Sequence, residues 1–295
     1  MALEYGKLEK YSCKFIKNLV RIGNFHPENP NHFWNAIFYG FKSYRDLSQP
    51  EKYNYIESQR DFLSSKITKE EWLHYSDGFH SNRQITSRFR ALFLKSNDKT
   101  CSSSISIILK LVTNKELFLE KCMEEYEDHE STLLIDIMVQ QFIHILQQIE
   151  QQERKTLSKD KKTKCEQVFK NFMTDLWNQA MEDSFQDFIK CVKDVNVSIP
   201  FFMIPLVLTH LDFHVFFFDY KSGDILSLND YYENNIQKHQ KTSCVFILYD
   251  GQSYESIGVM DDDEENGNMV KIHRLFKTED PIPQLCYKRI IIDNQ

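Results

Sequence analysis

Glycine is scarce in this 295-residue chain, with eight in all, and the eight never cluster. Neither GxGxxG nor GxxxxGK followed by Ser or Thr occurs, so the common nucleotide-binding folds lose support. Cysteine is equally unhelpful to a metal or disulfide reading. The seven residues Cys13, Cys101, Cys122, Cys165, Cys191, Cys244 and Cys286 are odd in number, scattered and without a CxxC pair. They read as free thiols, mostly buried, and no metal or other cofactor is expected. Long apolar runs are missing too: residues 199–208 form the longest, and they hold Pro200 and Pro205 and fall far short of the roughly 20 residues of a membrane helix. There is no surplus of positive charge, since 36 Lys and Arg face 43 Asp and Glu for a net charge of −7. Nucleic acid is therefore not an expected partner. Residues 1–10 are polar and mixed in charge, with no apolar block of a secretory leader, so a reducing, cytoplasmic location is expected.

What is present is core-forming material: 41% hydrophobic residues and 14% aromatics exclude disorder as the main state. Helical periodicity dominates the first two thirds. Phe33, Ile37, Phe38 and Phe41 share one face of a segment that Pro30 precedes and residues 48–50 are expected to close. A second helix is predicted over residues 51–63, and Thr68-Lys69-Glu70-Glu71 resembles the capped start of a third that carries Trp72. Ile135, Met138, Phe142, Ile145 and Ile149, then Phe169, Met173, Leu176 and Ala180, mark two long helices. Residues 147–164 between them are rich in Gln and Lys and read as an exposed helix end plus a mobile connection.

After Pro205 the period changes. Residues 213–220 and 244–249 are short β-branched or aromatic runs bounded by Lys221-Ser222-Gly223-Asp224 and Asp250-Gly251, the pattern of strands and turns. Residues 254–260 and 269–276 flank the acidic stretch 261–267 and suit an antiparallel hairpin with a solvated tip; the alternate-position ligands of a calcium loop are absent. His210 and His214 are four apart but straddle the expected change from helix to strand, so they need not share a face and no metal is assigned to them. His74 and His80 flank the turn at Asp77-Gly78 and read as structural.

Two segments carry chemical information: Asn29-Pro30-Asn31-His32-Phe33-Trp34-Asn35-Ala36-Ile37 at the mouth of the first helix, and Val245-Phe246-Ile247-Leu248-Tyr249-Asp250-Gly251-Gln252-Ser253-Tyr254-Glu255-Ser256, a strand running into a turn. Together they resemble the two active-site motifs of the OTU (ovarian tumour) family of papain-like cysteine proteases, most of which remove ubiquitin. There the first motif reads Asp-Gly-Asn-Cys-aromatic-aromatic-Arg-Ala, and the second an apolar strand followed by His-Tyr-Asn or His-Tyr-Asp. In that chemistry a helix N-terminus favours the cysteine thiolate while a histidine from a distant strand takes its proton.

Carried across residue by residue, the resemblance puts His32 at the nucleophile and Ser253 at the general base, so both reacting groups are replaced. Asn29 stands for the acidic residue that opens the loop, Pro30 for its glycine, and Glu255 for the polar group that orients the imidazole. Asn31, Trp34 and Tyr254 complete the candidate pocket. Proline has no N–H to give an oxyanion, and an imidazole at position 32 has no base opposite it. The match extends with less specificity over residues 53–72 and 181–220, and residues 273–276 resemble a tail of OTU-like proteins from large cytoplasmic DNA viruses.

The resemblance implies an α+β fold: one domain over residues 1–295 with an OTU-like, papain-type core, a small, mainly antiparallel sheet built mainly from the last 90 residues, and a helical insertion at about residues 80–165. It implies a pseudoprotease that binds protein, either ubiquitin or other viral structural proteins, in the host cytoplasm or the virion. The alternatives are an active deubiquitinating cysteine protease with relocated catalytic residues, and an unrelated helical protein-interaction domain.

Overall fold

The computed structural model describes residues 7–23, 30–96, 103–124, 126, 131–153, 158–226, 228, 241–261 and 271–293. The chain separates into two compact units, one of residues 1–68 and 189–295 and the other of residues 69–188. The mixed α+β composition expected from the change of period is what forms, and its whole sheet lies in the first unit.

That sheet has seven strands: β1 (Leu8–Lys10), β2 (Leu19–Ile22), β3 (His214–Asp219), β4 (Ser243–Tyr249), β5 (Tyr254–Met260), β6 (Ile272–His273) and β7 (Phe276–Lys277). Its main path runs β1-β2-β5-β4-β3, with β6 beside β5 and β7 beside β4. Most pairings are antiparallel. This agrees with the mainly antiparallel sheet expected; the one exception is that β3 and β4 pair in parallel, with His214 opposite Cys244 and Asp219 opposite Tyr249. The sign was in the composition: HVFFFD and SCVFILY are continuous apolar runs rather than alternating ones, as befits strands buried on both faces. As expected, the sheet is built mainly from the last 90 residues, which supply β3 to β7; β1 and β2 join it from the start of the chain. The expected hairpin holds at its base, where Val259 faces His273 and Met260 faces Ile272. Most of its acidic tip, residues 262–270, lies outside the described residues.

Alternation along the strands divides the first unit's core into two layers. On one face Phe217 and Tyr254 meet Phe33 of α1 (His32–Phe38). On the other, His214 and Phe216 meet Tyr287 of the C-terminal helix, Pro281–Asp293. After α1 come a single turn, α2 (Lys42–Arg45), and α3 (Gln49–Lys66). Residues 48–50 open α3 rather than simply closing the first helix: the Ser48 amide donates to the Glu51 carboxylate (2.7 Å), and Pro50 sits in the first turn, where its missing N–H is harmless. Ser and Pro signal a stop and a start equally well, which is why pattern alone misplaced this boundary.

The second unit is helical, with α4 (Lys69–His74), α5 (Phe79–Lys95), α6 (Ser103–Leu111), α7 (Lys115–Glu124), α8 (Ser131–Glu153) and α9 (Lys159–Lys193), the last assigned to this unit as far as Phe188. The two long helices follow the predicted apolar stripes, and Phe142 of α8 stacks on Phe169 of α9 at 4.3 Å between ring centroids. Residues 147–153 and 159–164 are helical, and residues 154–157 of the connection lie outside the described residues. No helix among the described residues is long and apolar enough to cross a membrane.

One half-buried amine in the first unit leads to a pH prediction. Lys241 donates to the Leu208 carbonyl (3.0 Å) near the end of α10 (Ile204–Thr209), and burial, only partly opposed by Asp212, lowers its pKa from 10.5 to about 8. The unfolded chain therefore binds more protons than the folded one between those two values, so this group makes stability rise with pH from about 8 to about 10. Urea titrations across that range should show the rise in the natural chain and a flatter profile in Lys241→Met. An identical slope in both contradicts the assignment.

Candidate functional site

The first stretch is positioned by a buried arginine. Arg60 lies on the apolar stripe of α3 between Ile56 and Leu63, and its side chain is fully enclosed. It donates from Nε to the Val192 carbonyl (2.7 Å), from Nη2 to the carbonyls of Cys191 (2.7 Å) and Val197 (2.9 Å), and from Nη1 to Asn31 Oδ1 (2.7 Å). Cys191 and Val192 end a helix whose last carbonyls have no partner within it, so the cation meets the negative end of the helix dipole. Burial lowers the Arg60 pKa to about 10, which leaves it protonated at neutral pH. Asn31 completes the clamp by donating from Nδ2 to the Val195 carbonyl (2.8 Å), and the Ser198 hydroxyl donates to the Pro30 carbonyl (3.0 Å). Asn31 is thus a fastening for the entry to α1, without a side-chain cap to the helix itself.

From that anchor α1 lays Phe33 against Tyr254 of β5 at 5.3 Å between ring centroids. Tyr254 in turn stacks on Tyr249 (4.9 Å), and Tyr249 on Phe201 (4.6 Å). Between these rings and the start of α1 lies a cavity of about 170 Å³ whose walls include Pro30, His32, Trp34, Phe201, Tyr249 and Tyr254, with Ser198 and Gln252 as further polar contributors. The indole Nε1–H of Trp34 is buried without a hydrogen-bond acceptor. Burial raises the pKa of both tyrosines, so both stay neutral phenols.

Of the residues singled out in the sequence, Pro30, His32, Trp34 and Tyr254 therefore meet in one place. Asn29 lies outside the described residues. Ser253 belongs to the turn between β4 and β5 and does not line the cavity. Its amide donates to Asp250 Oδ1 (2.8 Å), as does the Gln252 amide (3.0 Å). Burial alone would raise the Asp250 pKa, but those two amides and the Ser253 hydroxyl outweigh it and hold the carboxyl below its ordinary range. Gly251 makes the turn possible with φ of 98°, in the left-handed region that favours glycine.

Glu255 faces away from Tyr254, as its neighbour along a strand must. It is clasped by Arg21 of β2, with Nε to Oε2 at 2.9 Å and Nη2 to Oε1 at 2.8 Å, both side chains buried. Arg21 also reaches Glu9 (3.0 Å).

Among the described residues, no cysteine lines the cavity. Burial raises the pKa of Cys191, Cys244 and Cys286, which disfavours a thiolate at each. No group of three metal-ligating side chains gathers among the described residues. Sequence reasoning missed Arg60, Phe201 and Gln252. Arg60 alone left a signal, a cation on an apolar helical stripe. No family model, no curated protein and no solved structure matches this chain.

Proposed function

We propose that this protein is a catalytically inactive, OTU-like pseudoprotease that binds a protein partner through the pocket between α1 and the β4–β5 turn. The observation that carries the reading is the contact of Phe33 with Tyr254, which joins the two stretches resembling the family's motifs in the wall of one cavity. His32 stands at the position resembling the nucleophile, and Ser253 at that of the base. A histidine and a serine at those positions replace the thiol and the imidazole that the family's chemistry uses, and the cysteines with raised pKa are poor substitutes. Recognition needs less: aromatic walls for contact area and His32, Ser198 and Gln252 for hydrogen bonds. A space of about 170 Å³ suits a narrow extended tail rather than a folded surface. The tail of ubiquitin is the partner the resemblance implies.

Ubiquitin bearing an electrophile at its C-terminus should form no covalent adduct with the natural chain, and di-ubiquitin should remain intact. Titrating isotopically labelled ubiquitin with the protein should shift the resonances of its tail. Gln252→Trp, which fills the exposed mouth of the pocket, should weaken that binding about tenfold. Cleavage of di-ubiquitin that a single Cys→Ala substitution abolishes contradicts the proposal. Absence of any ubiquitin shift removes ubiquitin as the partner.

A further inference from the structure

Two half-buried arginines of the first unit, Arg45 and Arg274, meet beyond the C-terminal end of α1, and neither lines the pocket described above. The fold fixes both. Arg274 links β6 to β7, so its backbone is held on one side by the pairing of His273 with Val259 and soon after on the other by that of Phe276 with Cys244. Gly40 lets this link come close, since a Cβ there would stand 3.2 Å from the Arg274 carbonyl oxygen. Arg45 ends α2 and donates from Nη1 to the carbonyls of Tyr39 (2.9 Å) and Gly40 (2.8 Å), the residues that follow α1. The Tyr39 ring lies between these features in the chain, with its centroid 5.6 Å from the Arg274 guanidinium carbon.

What this pair lacks is a counter-charge. Among the described residues the Arg274 guanidinium has no hydrogen-bond acceptor and no ion pair, and its Nε–H is buried. Burial, and after it the like charge of Arg45, lower the Arg274 pKa, and only Tyr39 opposes them. Arg45 engages Nη1 alone, which leaves its Nε and Nη2 without an acceptor among the described residues. Asp46 does feel the charge of Arg45, but its carboxylate is already held by Lys42 Nζ at 2.6 Å. Asp261, just past the end of β5, is paired with His273 at 3.0 Å. A desolvated guanidinium beside a second one, with no carboxylate between them, is unfavourable until an anion joins them. The two forks also select which anion. A carboxylate brings one charge and two oxygens, enough for a single arginine, whereas a phosphate monoester brings a charge of about −2 and three acceptor oxygens, enough to balance two cations and accept from both.

We infer that Arg274 and Arg45 form a binding site for the dianion of a phosphate monoester. The site lies outside the α1 pocket, and the inference does not rest on the function proposed for that pocket.

The full chain is titrated with methyl phosphate, methyl sulfate and acetate at constant ionic strength while the Nε–Hε resonances of its arginines are followed. Methyl phosphate should move those of Arg274 and Arg45 along a saturable curve and bind about tenfold more tightly than acetate or methyl sulfate, which has the same shape but a single charge. Arg274→Gln should abolish the saturable response, and Arg274→Lys, which keeps the charge but loses the fork, should weaken binding about tenfold. Because the Arg274 charge is uncompensated in the fold, Arg274→Gln should not lower the thermal midpoint, and methyl phosphate should raise the midpoint of the natural chain alone. Blocked phosphoserine separates the sources: tighter binding than methyl phosphate assigns the site to a partner's phosphorylated side chain, and equal binding assigns it to a small phosphate ester. Equal affinity for methyl phosphate, methyl sulfate and acetate overturns the inference in favour of diffuse positive charge, as does an undiminished response in Arg274→Gln. A lower midpoint of Arg274→Gln without ligand overturns it as well, since the cation then has its partner within the fold. Neutralising Asp262, Asp263, Glu264 and Glu265, which lie outside the described residues, should leave the affinity unchanged. A gain of about tenfold overturns an external anion in favour of this chain's own carboxylates.

Discussion

Replacing Arg60 with methionine should lower the unfolding free energy of the unit containing residues 1–68 and 189–295 by about 3–5 kcal/mol. Two effects oppose each other. Methionine removes a buried charge, and the lowered Arg60 pKa shows that desolvation outweighs the favourable interactions of the cation. Against that, the guanidinium satisfies the carbonyls of Cys191, Val192 and Val197 and the side chain of Asn31. Backbone acceptors cannot be mutated away, and each one left buried and unmatched costs roughly 1–3 kcal/mol. The orphaned acceptors therefore win.

Trp34, almost fully buried with the Arg60 guanidinium 6.0 Å from its ring centroid, is a local reporter. Its fluorescence can be isolated by Trp72→Phe and Trp177→Phe, both in the other unit. A urea midpoint that hardly moves in Arg60→Met contradicts the clamp. Asn31→Ala should destabilise the same transition by a smaller amount, about 1–3 kcal/mol, because Arg60 keeps its backbone acceptors.

The second large effect concerns the opposite face of the sheet. Glu255→Leu should destabilise the first unit by about 3–5 kcal/mol, since it removes the buried carboxylate that holds Arg21 by two hydrogen bonds, whereas the Glu9 carboxylate that Arg21 also reaches is half-exposed. The double substitution Arg21→Met with Glu255→Leu should recover much of the loss, because it removes both desolvated charges together. A double-mutant cycle in urea measures the coupling. If the two single losses simply add, the pair is not the unit that its two hydrogen bonds of 2.9 and 2.8 Å make it.

That ion pair also shows what a sequence reveals and what it conceals. Local periodicity made α1, α3, α8 and α9 legible because their stripes repeat within a few residues, as at Phe33, Ile37 and Phe38 or at Phe169, Met173 and Ala180. The hairpin of β5 with β6 was legible for the same reason. The resemblance places Glu255 beside the cleft, but alternation sends it to the other face, where Arg21, far back in the chain, clasps it. Nothing near Glu255 announces Arg21. The parallel joining of β3 to β4 likewise depends on how the chain crosses over, and only the unbroken apolar runs of both strands hint at it. Arg60 is intermediate, visible as an oddity on an apolar stripe but mute about the carbonyls it holds.

The entry to α1 and the β4–β5 turn build one pocket. Nuclear Overhauser contacts between the ring protons of Phe33 and Tyr254, in a deuterated chain with only Phe and Tyr protonated, test it most directly. Centroids 5.3 Å apart predict strong cross-peaks between those two rings, together with Tyr254 to Tyr249. A spectrum in which Tyr254 contacts Tyr249 but not Phe33 contradicts the claim, for it keeps the hairpin and separates it from α1.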